Sequence, residues 1–131
     1  MKKNKKGFTL IELVVVLVII AILAAITVPV VTGYIEDAND ARYVSEARAI
    51  YLVVQAEEAK DRAQNVENSD YTVISKTAEE KIKDTATGSS KITDVKVTLN
   101  GTKYNVEFTS NSKKITAEID PNKEIKIISK A

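Results

Sequence analysis

The feature that most constrains this chain is an uncharged stretch that runs from Leu13 to Ile35. It is 23 residues long, and its only polar side chains are those of Thr27, Thr32 and Tyr34. At about 1.5 Å per residue, a helix of this length crosses the roughly 30 Å hydrocarbon core of a bilayer. The stretch predicts a membrane-spanning helix, because a buried helix in so small a protein would seldom run this far without a charge.

Charges are placed unevenly around this stretch. Lys2, Lys3, Lys5 and Lys6 precede it, and the next lysine is Lys60. This asymmetry predicts a cytoplasmic amino terminus and an external remainder. The chain has 19 basic and 18 acidic residues; without those four lysines it would have 15 and 18. A near-neutral to acidic chain gives no electrostatic reason to expect nucleic-acid binding.

The composition also limits the chemistry. The 131 residues make room for one domain, and they include no Cys and no His. Disulfides, thiolate or imidazole metal ligands, Cys nucleophiles and His-based triads are therefore excluded. No catalytic pair, metal site or cofactor is predicted, and the chain is not expected to be an enzyme.

Three interpretations of the apolar stretch compete: a cleaved secretory signal, a plain membrane anchor and a prepilin-type signal. The apolar region of a secretory signal is only about 7–15 residues long, although Ala24 and Ala25 would suit its cleavage site. A plain anchor has no use for Glu12, since a carboxylate in a membrane is costly and needs a partner.

The residues Lys-Gly-Phe-Thr-Leu-Ile-Glu-Leu, 6–13, resemble the class III signal of type IV prepilins and pseudopilins. The resemblance covers residues 1–35 and includes Pro29, at a place where the family usually has a proline. It implies that a membrane-embedded prepilin peptidase cleaves between Gly7 and Phe8 and methylates the new amino terminus.

The resemblance also implies how copies assemble. The freed amine of Phe8 would pair with Glu12 of a neighbouring subunit, so that both charges are neutralised only in the correct register. Losing one partner of a buried pair typically costs about 3–5 kcal/mol. Pro29 lacks an amide hydrogen and is expected to kink or loosen the helix.

Helical signals continue to about Arg62, because alanine is frequent and no proline follows Pro29 in this part. One face carries small residues and is predicted to face neighbouring helices in a filament core, where small side chains allow close approach. The opposite face carries bulky apolar side chains only in the middle of the helix. This part is predicted to pack on the chain's own sheet. The first face includes Ala38, Ala41, Ser45, Leu52 and Ala56; the second comprises Tyr43, Val44, Ala47, Ile50, Tyr51 and Val54.

The next segment is polar and irregular. A short extended piece is predicted over residues 71–74. Thr77 with Glu80 is the pattern of a capping box and predicts a short helix to about Asp84. Residues 85–90 are predicted to form a loop.

Apolar and polar residues alternate over the last 40 residues, which predicts three or four antiparallel strands with one apolar face. Asn100-Gly101 is the strongest hairpin signal and predicts a type I′ turn. In that register Val97 would lie opposite Tyr104, and Val95 opposite Val106.

The predicted fold is thus α+β, with a long amino-terminal helix whose second half packs on a carboxy-terminal antiparallel sheet. We expect a leader over residues 1–7, a membrane and filament-core helix over 8–35, and a globular domain over 36–131. The domain comprises an amphipathic helix (36–62), a linker (63–91) and a sheet (92–129).

The resemblance implies a structural subunit of a surface pilus that serves adhesion, motility or aggregation. Its implied partners are further copies of itself, minor pilins, the cell membrane before assembly, the peptidase, a platform protein and an assembly ATPase. Two alternatives stay open: a pseudopilin of a secretion or DNA-uptake apparatus, and an anchored binding module that never polymerises.

Overall fold

The computed structural model describes residues 6–85 and 91–131. In chain order the elements are the helices α1 (Leu10–Ala63) and α2 (Tyr71–Thr85), and the strands β1 (Ile92–Asn100), β2 (Lys103–Ser110), β3 (Lys113–Ile119) and β4 (Ile125–Lys130). The elements confirm the predicted α+β class. The chain divides into two compact units, Met1–Ala38 and Asn39–Ala131, and α1 contributes to both.

In the first unit the apolar part of α1 has no protein cover. Every large apolar side chain from Phe8 to Ile35 is at least 46% exposed. Among the described residues α1 is the one helix whose length and composition would let it cross a membrane. So much exposed apolar surface needs a bilayer or other chains against it.

Helix α1 continues through Pro29, which lies inside it. The hydroxyls of its threonines are satisfied by the backbone: Thr27 Oγ1 donates to the Leu23 carbonyl at 3.0 Å, and Thr32 Oγ1 to that of Pro29 at 2.8 Å. Such bonds satisfy polar side chains where no water is present. The loosening around Pro29 in a filament stays a prediction.

In the second unit one face of α1 is buried against the sheet, as its periodicity predicts. Tyr43, Ala47, Ile50, Tyr51 and Val54 are all buried in one apolar core. The sheet and α2 supply the rest of this core, which includes Ile74, Ala78, Ile82, Ile92, Val95, Val97, Val106, Phe108, Ile115, Ala117 and Ile119.

The sheet is an antiparallel meander in the order β1-β2-β3-β4. Its first hairpin differs from the predicted register: Val97 lies opposite Val106, and Leu99 opposite Tyr104. The turn therefore consists of Gly101 and Thr102. Gly101 has φ +66°, the conformation that a type II′ turn requires at its first central position.

The alternation of side chains could not distinguish these registers. Moving the turn by one residue shifts the strand pairing by two, and a shift of two keeps every side chain on its face. A bulge between Thr93 and Lys96, with Asp94 at φ 56°, then adds one residue to β1.

Helix α2 begins at Tyr71, so the extended piece predicted over residues 71–74 is wrong. The cap is provided by Asp70, whose Oδ1 accepts from the amide of Thr72 at 2.9 Å. Thr77 lies inside the helix and donates to the Val73 carbonyl at 3.0 Å. Aspartate is at least as good a cap as threonine, so the earlier start is favoured. Of the predicted loop, residues 86–90 lie outside the described residues.

Helix α2 covers the outer edge of β1. The Val97 amide donates to Ser75 Oγ at 2.8 Å, and the Val95 amide donates to Glu79 Oε2 at 3.2 Å. Both amides point away from β2. Without the acceptors on α2 they would be unpaired donors on an open edge of the sheet. Two side chains of α2 thus take the place of a fifth strand.

Candidate functional site

The start of α1 is closed by a reciprocal pair of hydrogen bonds. The Thr9 amide donates to Glu12 Oε2 at 3.2 Å, and the Glu12 amide donates to Thr9 Oγ1 at 3.4 Å. This is a capping box, which satisfies two backbone donors that the first turn of a helix leaves free. It also gives the carboxylate of Glu12 a partner within its own chain.

Sequence reasoning identified Glu12 and missed Thr9. The signal was present, because Thr9-Leu10-Ile11-Glu12 is the Thr-x-x-Glu pattern of a capping box directly before an apolar run. An ionised carboxylate has about four lone-pair positions, and the box uses one of them. Glu12 therefore keeps acceptor capacity for a second donor.

The peptide bond between Gly7 and Phe8 lies just before the helix. Both residues are exposed and belong to no regular element. No atom comes within 4 Å of the position that a Cβ of Gly7 would occupy. A protease needs such an extended and uncovered segment, since helical backbone is already hydrogen-bonded to itself.

Phe8 and Glu12 border the same shallow hollow of about 390 Å³, with Ile11, Val15 and Val16. Its lining is almost wholly apolar apart from the carboxylate. The structure thus brings two of the predicted assembly residues together. Pro29 lies 17 residues after Glu12 on the same helix and is no part of this hollow.

The predicted filament-core residues lie on exposed parts of α1. Ala38 belongs to the first unit; Ala41, Ser45, Leu52 and Ala56 belong to the second, and all five are exposed. Leu52 is 59% exposed, which is unusual for a leucine next to a well-filled core. Their contact with neighbouring helices stays a prediction.

A polar cluster that the sequence did not indicate lies at the other end of α1. The hydroxyls of Tyr71 and Tyr104 donate to Glu58 Oε1 at 2.8 and 2.9 Å. Burial, and then the hydrogen bond to Glu58, raise the pKa of Tyr104 to about 12 and raise that of Tyr71 further. The cluster ties α1, α2 and β2 together, and its tyrosines stay protonated at neutral pH.

No group of three or more acidic side chains that could hold a metal ion occurs within residues 6–85 and 91–131. The polar clusters of this part of the chain are hydrogen-bond and ion-pair contacts between elements.

A profile described as the prokaryotic N-terminal methylation motif matches residues 2–28. The match includes the Gly7–Phe8 bond, the capping box and the first half of the apolar helix. The amino-terminal segment of the chain therefore carries the prokaryotic N-terminal methylation motif.

Curated relatives that match this segment are fimbrial proteins. One type IV major fimbrial protein FimA from Dichelobacter nodosus is 52% identical over 55 residues, which are 42% of this chain and 34% of that protein. Another from the same species is 44% identical over 55 residues, or 35% of its length. Fimbrial protein Q from Moraxella bovis is 48% identical over 52 residues, which are 40% of this chain and 33% of that protein.

The chain thus spans about a third of the length of these relatives. No solved structure matches it. The likeness to type IV pilins therefore rests on the amino-terminal segment.

Proposed function

We propose that the chain is the structural subunit of a type IV pilus. A prepilin peptidase removes residues 1–7 and methylates the amine of Phe8. Residues 8–35 hold the subunit in the cell membrane as a single span and later form part of the filament core. Residues 36–131 form the external domain, and the assembled pilus serves adhesion, motility or aggregation.

The observation that carries the proposal is the methylation motif over residues 2–28, which includes the exposed residues Gly7 and Phe8. A peptidase and methyltransferase needs access to the Gly7–Phe8 bond, and neither residue is covered. The adjoining helix leaves its apolar side chains without protein cover. In a chain that passes from a bilayer into a helical bundle, this apolar surface would contact lipid before assembly and neighbouring helices afterwards.

Assembly would use the second acceptor position of Glu12. Cleavage turns the Phe8 nitrogen into an ammonium group with three donors. The amine of an arriving subunit would bind the carboxylate of its neighbour while the Thr9 amide still caps the helix from within. Two charges that are each costly in an apolar surrounding would then neutralise one another.

The small residues Ala41, Ser45 and Ala56 would let neighbouring α1 helices approach closely. Leu52, exposed in the single chain, would become covered there. The platform protein, the assembly ATPase and minor pilins would act as partners from outside this chain.

The relatives are named as fimbrial proteins, which favours a pilus over the short pseudopilus of a secretion or DNA-uptake apparatus. Electron microscopy of the producing cells separates the two. Long surface filaments that contain this chain support the pilus, and their absence with a processed chain supports the pseudopilin.

The deciding experiment is amino-terminal sequencing and intact-mass measurement of protein sheared from the cell surface. We expect a chain that begins at Phe8 with one added methyl group. Gly7→Val should stay uncleaved, since a β-branched side chain would stand at the protease subsite that glycine leaves open. Gly33→Val, at another uncovered glycine, should be cleaved normally.

A chain that begins at Met1, or after Ala25, would overturn the proposal. The first result would favour an anchored module that never polymerises, and the second a secreted one.

A further inference from the structure

The second unit has two ends, which its contacts with α1 define. Lys130 is ion-paired with Asp40, and Ser110 Oγ donates to Glu46 Oε1 at 3.1 Å. The end of β4 and the β2–β3 turn therefore lie beside the beginning of α1 in this unit. We call this the proximal end.

The other end, called distal, lies beside the carboxy-terminal part of α1. The Tyr104 and Tyr71 hydroxyls bind Glu58 there, so the β1–β2 turn and the beginning of α2 belong to it. Ile119 at the end of β3 lies opposite Tyr104, which places the β3–β4 turn, residues 120–124, at the same end.

The proximal end carries lysines that form no ion pair with the described residues. Lys91 and Lys113 are exposed, and neither has an ion pair within the described part of the chain. Lys91 is held at this end, because its amide donates to Asn111 Oδ1 in the β2–β3 turn at 3.0 Å. Lys114 is 3.5 Å from Glu107 and 64% exposed, so its charge is only partly compensated.

The distal end carries uncompensated charge of the opposite sign. Glu67, Asp70 and Glu124 are exposed and have no ion pair in residues 6–85 and 91–131. The nearby cation Lys103 is bound to Glu118 at 2.8 Å and to Asp120 at 3.2 Å. The positive charge of Lys123 balances only one of the three acidic side chains that have no ion pair.

We propose that these ends bind one another between copies, with the proximal end of one subunit on the distal end of the next. The inference rests on the proposed function, because copies that assemble through parallel α1 helices all point the same way. A head-to-tail contact of this kind joins two different surfaces, and it builds an open filament when the rotation between copies does not close a ring.

Electrostatic matching of this kind chiefly determines orientation and register. Each exposed ion pair contributes little binding free energy. The interaction between its charges is screened beyond about 8–10 Å at ordinary ionic strength. The contact would recur at every subunit, however, and it would reject a subunit arriving with the opposite polarity. The α1 helices in the filament core would hold the subunits together. The two charged ends would determine the direction in which each subunit is added.

Cysteine cross-linking tests the contact directly, since the natural chain has no cysteine. Lys113→Cys is combined in the full chain with Glu67→Cys, Asp70→Cys or Glu124→Cys in cells that produce filaments. Oxidised filaments should give a ladder of covalent oligomers on a non-reducing gel for at least one combination. The control combines the same distal cysteines with Lys96→Cys, on the middle of β1, and should give none.

Charge reversal gives a second test with a rescue. Lys91→Glu with Lys113→Glu should reduce the yield of sheared filaments several-fold, and so should Glu67→Lys with Glu124→Lys. The four changes together should restore most of the yield. Lys76→Glu with Lys96→Glu makes an equal charge change on exposed positions in the middle of α2 and β1, away from both ends, and should leave the yield unchanged.

Abundant wild-type filaments, with no ladder from any combination and no effect of either reversal, would overturn the inference while leaving the proposed function intact. An uncleaved wild-type chain without filaments would instead contradict the proposed function. Loss of filaments in the four-fold variant, with the chain still processed and protease-resistant, would also contradict the end-to-end pairing.

Discussion

The hydroxyl of Tyr104 lies 2.9 Å from Oε1 and 3.0 Å from Oε2 of Glu58, a residue 46 positions earlier in the chain. The ring of Tyr104 also packs edge-on against Tyr51, with 5.4 Å between the centroids, and against Tyr71 at 6.4 Å. One side chain of β2 thus contacts both helices. Glu58 is only 9% exposed, and these hydroxyls donate hydrogen bonds to its carboxylate, which also forms an ion pair with Arg62 at 3.9 Å.

Removing this hydroxyl should destabilise the second unit. Tyr104→Phe keeps the ring contacts and takes one donor from a nearly buried carboxylate, which should cost about 1–2 kcal/mol. The measurement is urea unfolding of the full chain in detergent micelles, followed by tyrosine fluorescence. Tyr34→Phe, at an exposed tyrosine, is the matched control and should change nothing. Equal stability of the two variants would refute a structural role for the Tyr104–Glu58 bond.

The same cluster should make stability depend on alkaline pH. The pKa of Tyr104 rises from its ordinary value near 10 to about 12, so the folded state holds this proton more tightly than the unfolded state. Its contribution is complete below about pH 10 and is lost as the pH rises through about 12. Unfolding free energy measured across this range should fall, and it should fall less in Tyr104→Phe.

Lys103 loses its charge in the same range, and hydrogen bonds to Glu118 and Asp120 raise its pKa. Tyr104→Phe leaves those bonds in place, so the difference between the two curves reports on the phenol. Parallel curves for the wild type and the variant would show that the phenol does not contribute.

The packing of α2 on the edge of β1 should depend on the hydroxyl of Ser75, which accepts a hydrogen bond from the Val97 amide. Ser75→Ala leaves the buried amide of Val97 without an acceptor, which should cost about 1–3 kcal/mol. Hydrogen exchange at Val97 should become faster, and unfolding should shift accordingly. Thr77→Ala removes another hydroxyl of α2 that bonds only to its own helix, and it should have little effect. Unchanged exchange at Val97 would contradict this account of the sheet edge.

Sequence periodicity predicted the buried face of α1 and the side chains that share the inner face of the sheet. The buried residues Tyr43, Ala47, Ile50 and Val54 recur at steps of three and four, and burial follows directly from that spacing. The hairpin register was not predictable in this way, because registers that differ by two residues bury the same side chains.

Contacts between distant residues were beyond sequence reasoning altogether. Nothing in the pattern pairs Glu58 with Tyr104, or Ser75 with Val97, since each pair depends on how the elements pack. Thr9 is a different case. Its capping box with Glu12 is a local pattern of four consecutive residues, so this contact was predictable from the sequence.

The cap that Glu12 forms within the chain can be tested separately from the charge that we propose it supplies between chains. Glutamine at this capping position can still accept from the Thr9 amide, so Glu12→Gln should keep the first turn protected from hydrogen exchange in micelles. It carries no charge to neutralise the Phe8 amine, so the chain should be processed normally and yield few filaments. Thr9→Val should do the reverse: it weakens the cap by about 0.5–2 kcal/mol and leaves the charge available. Normal filaments from Glu12→Gln would mean that the carboxylate serves only its own helix.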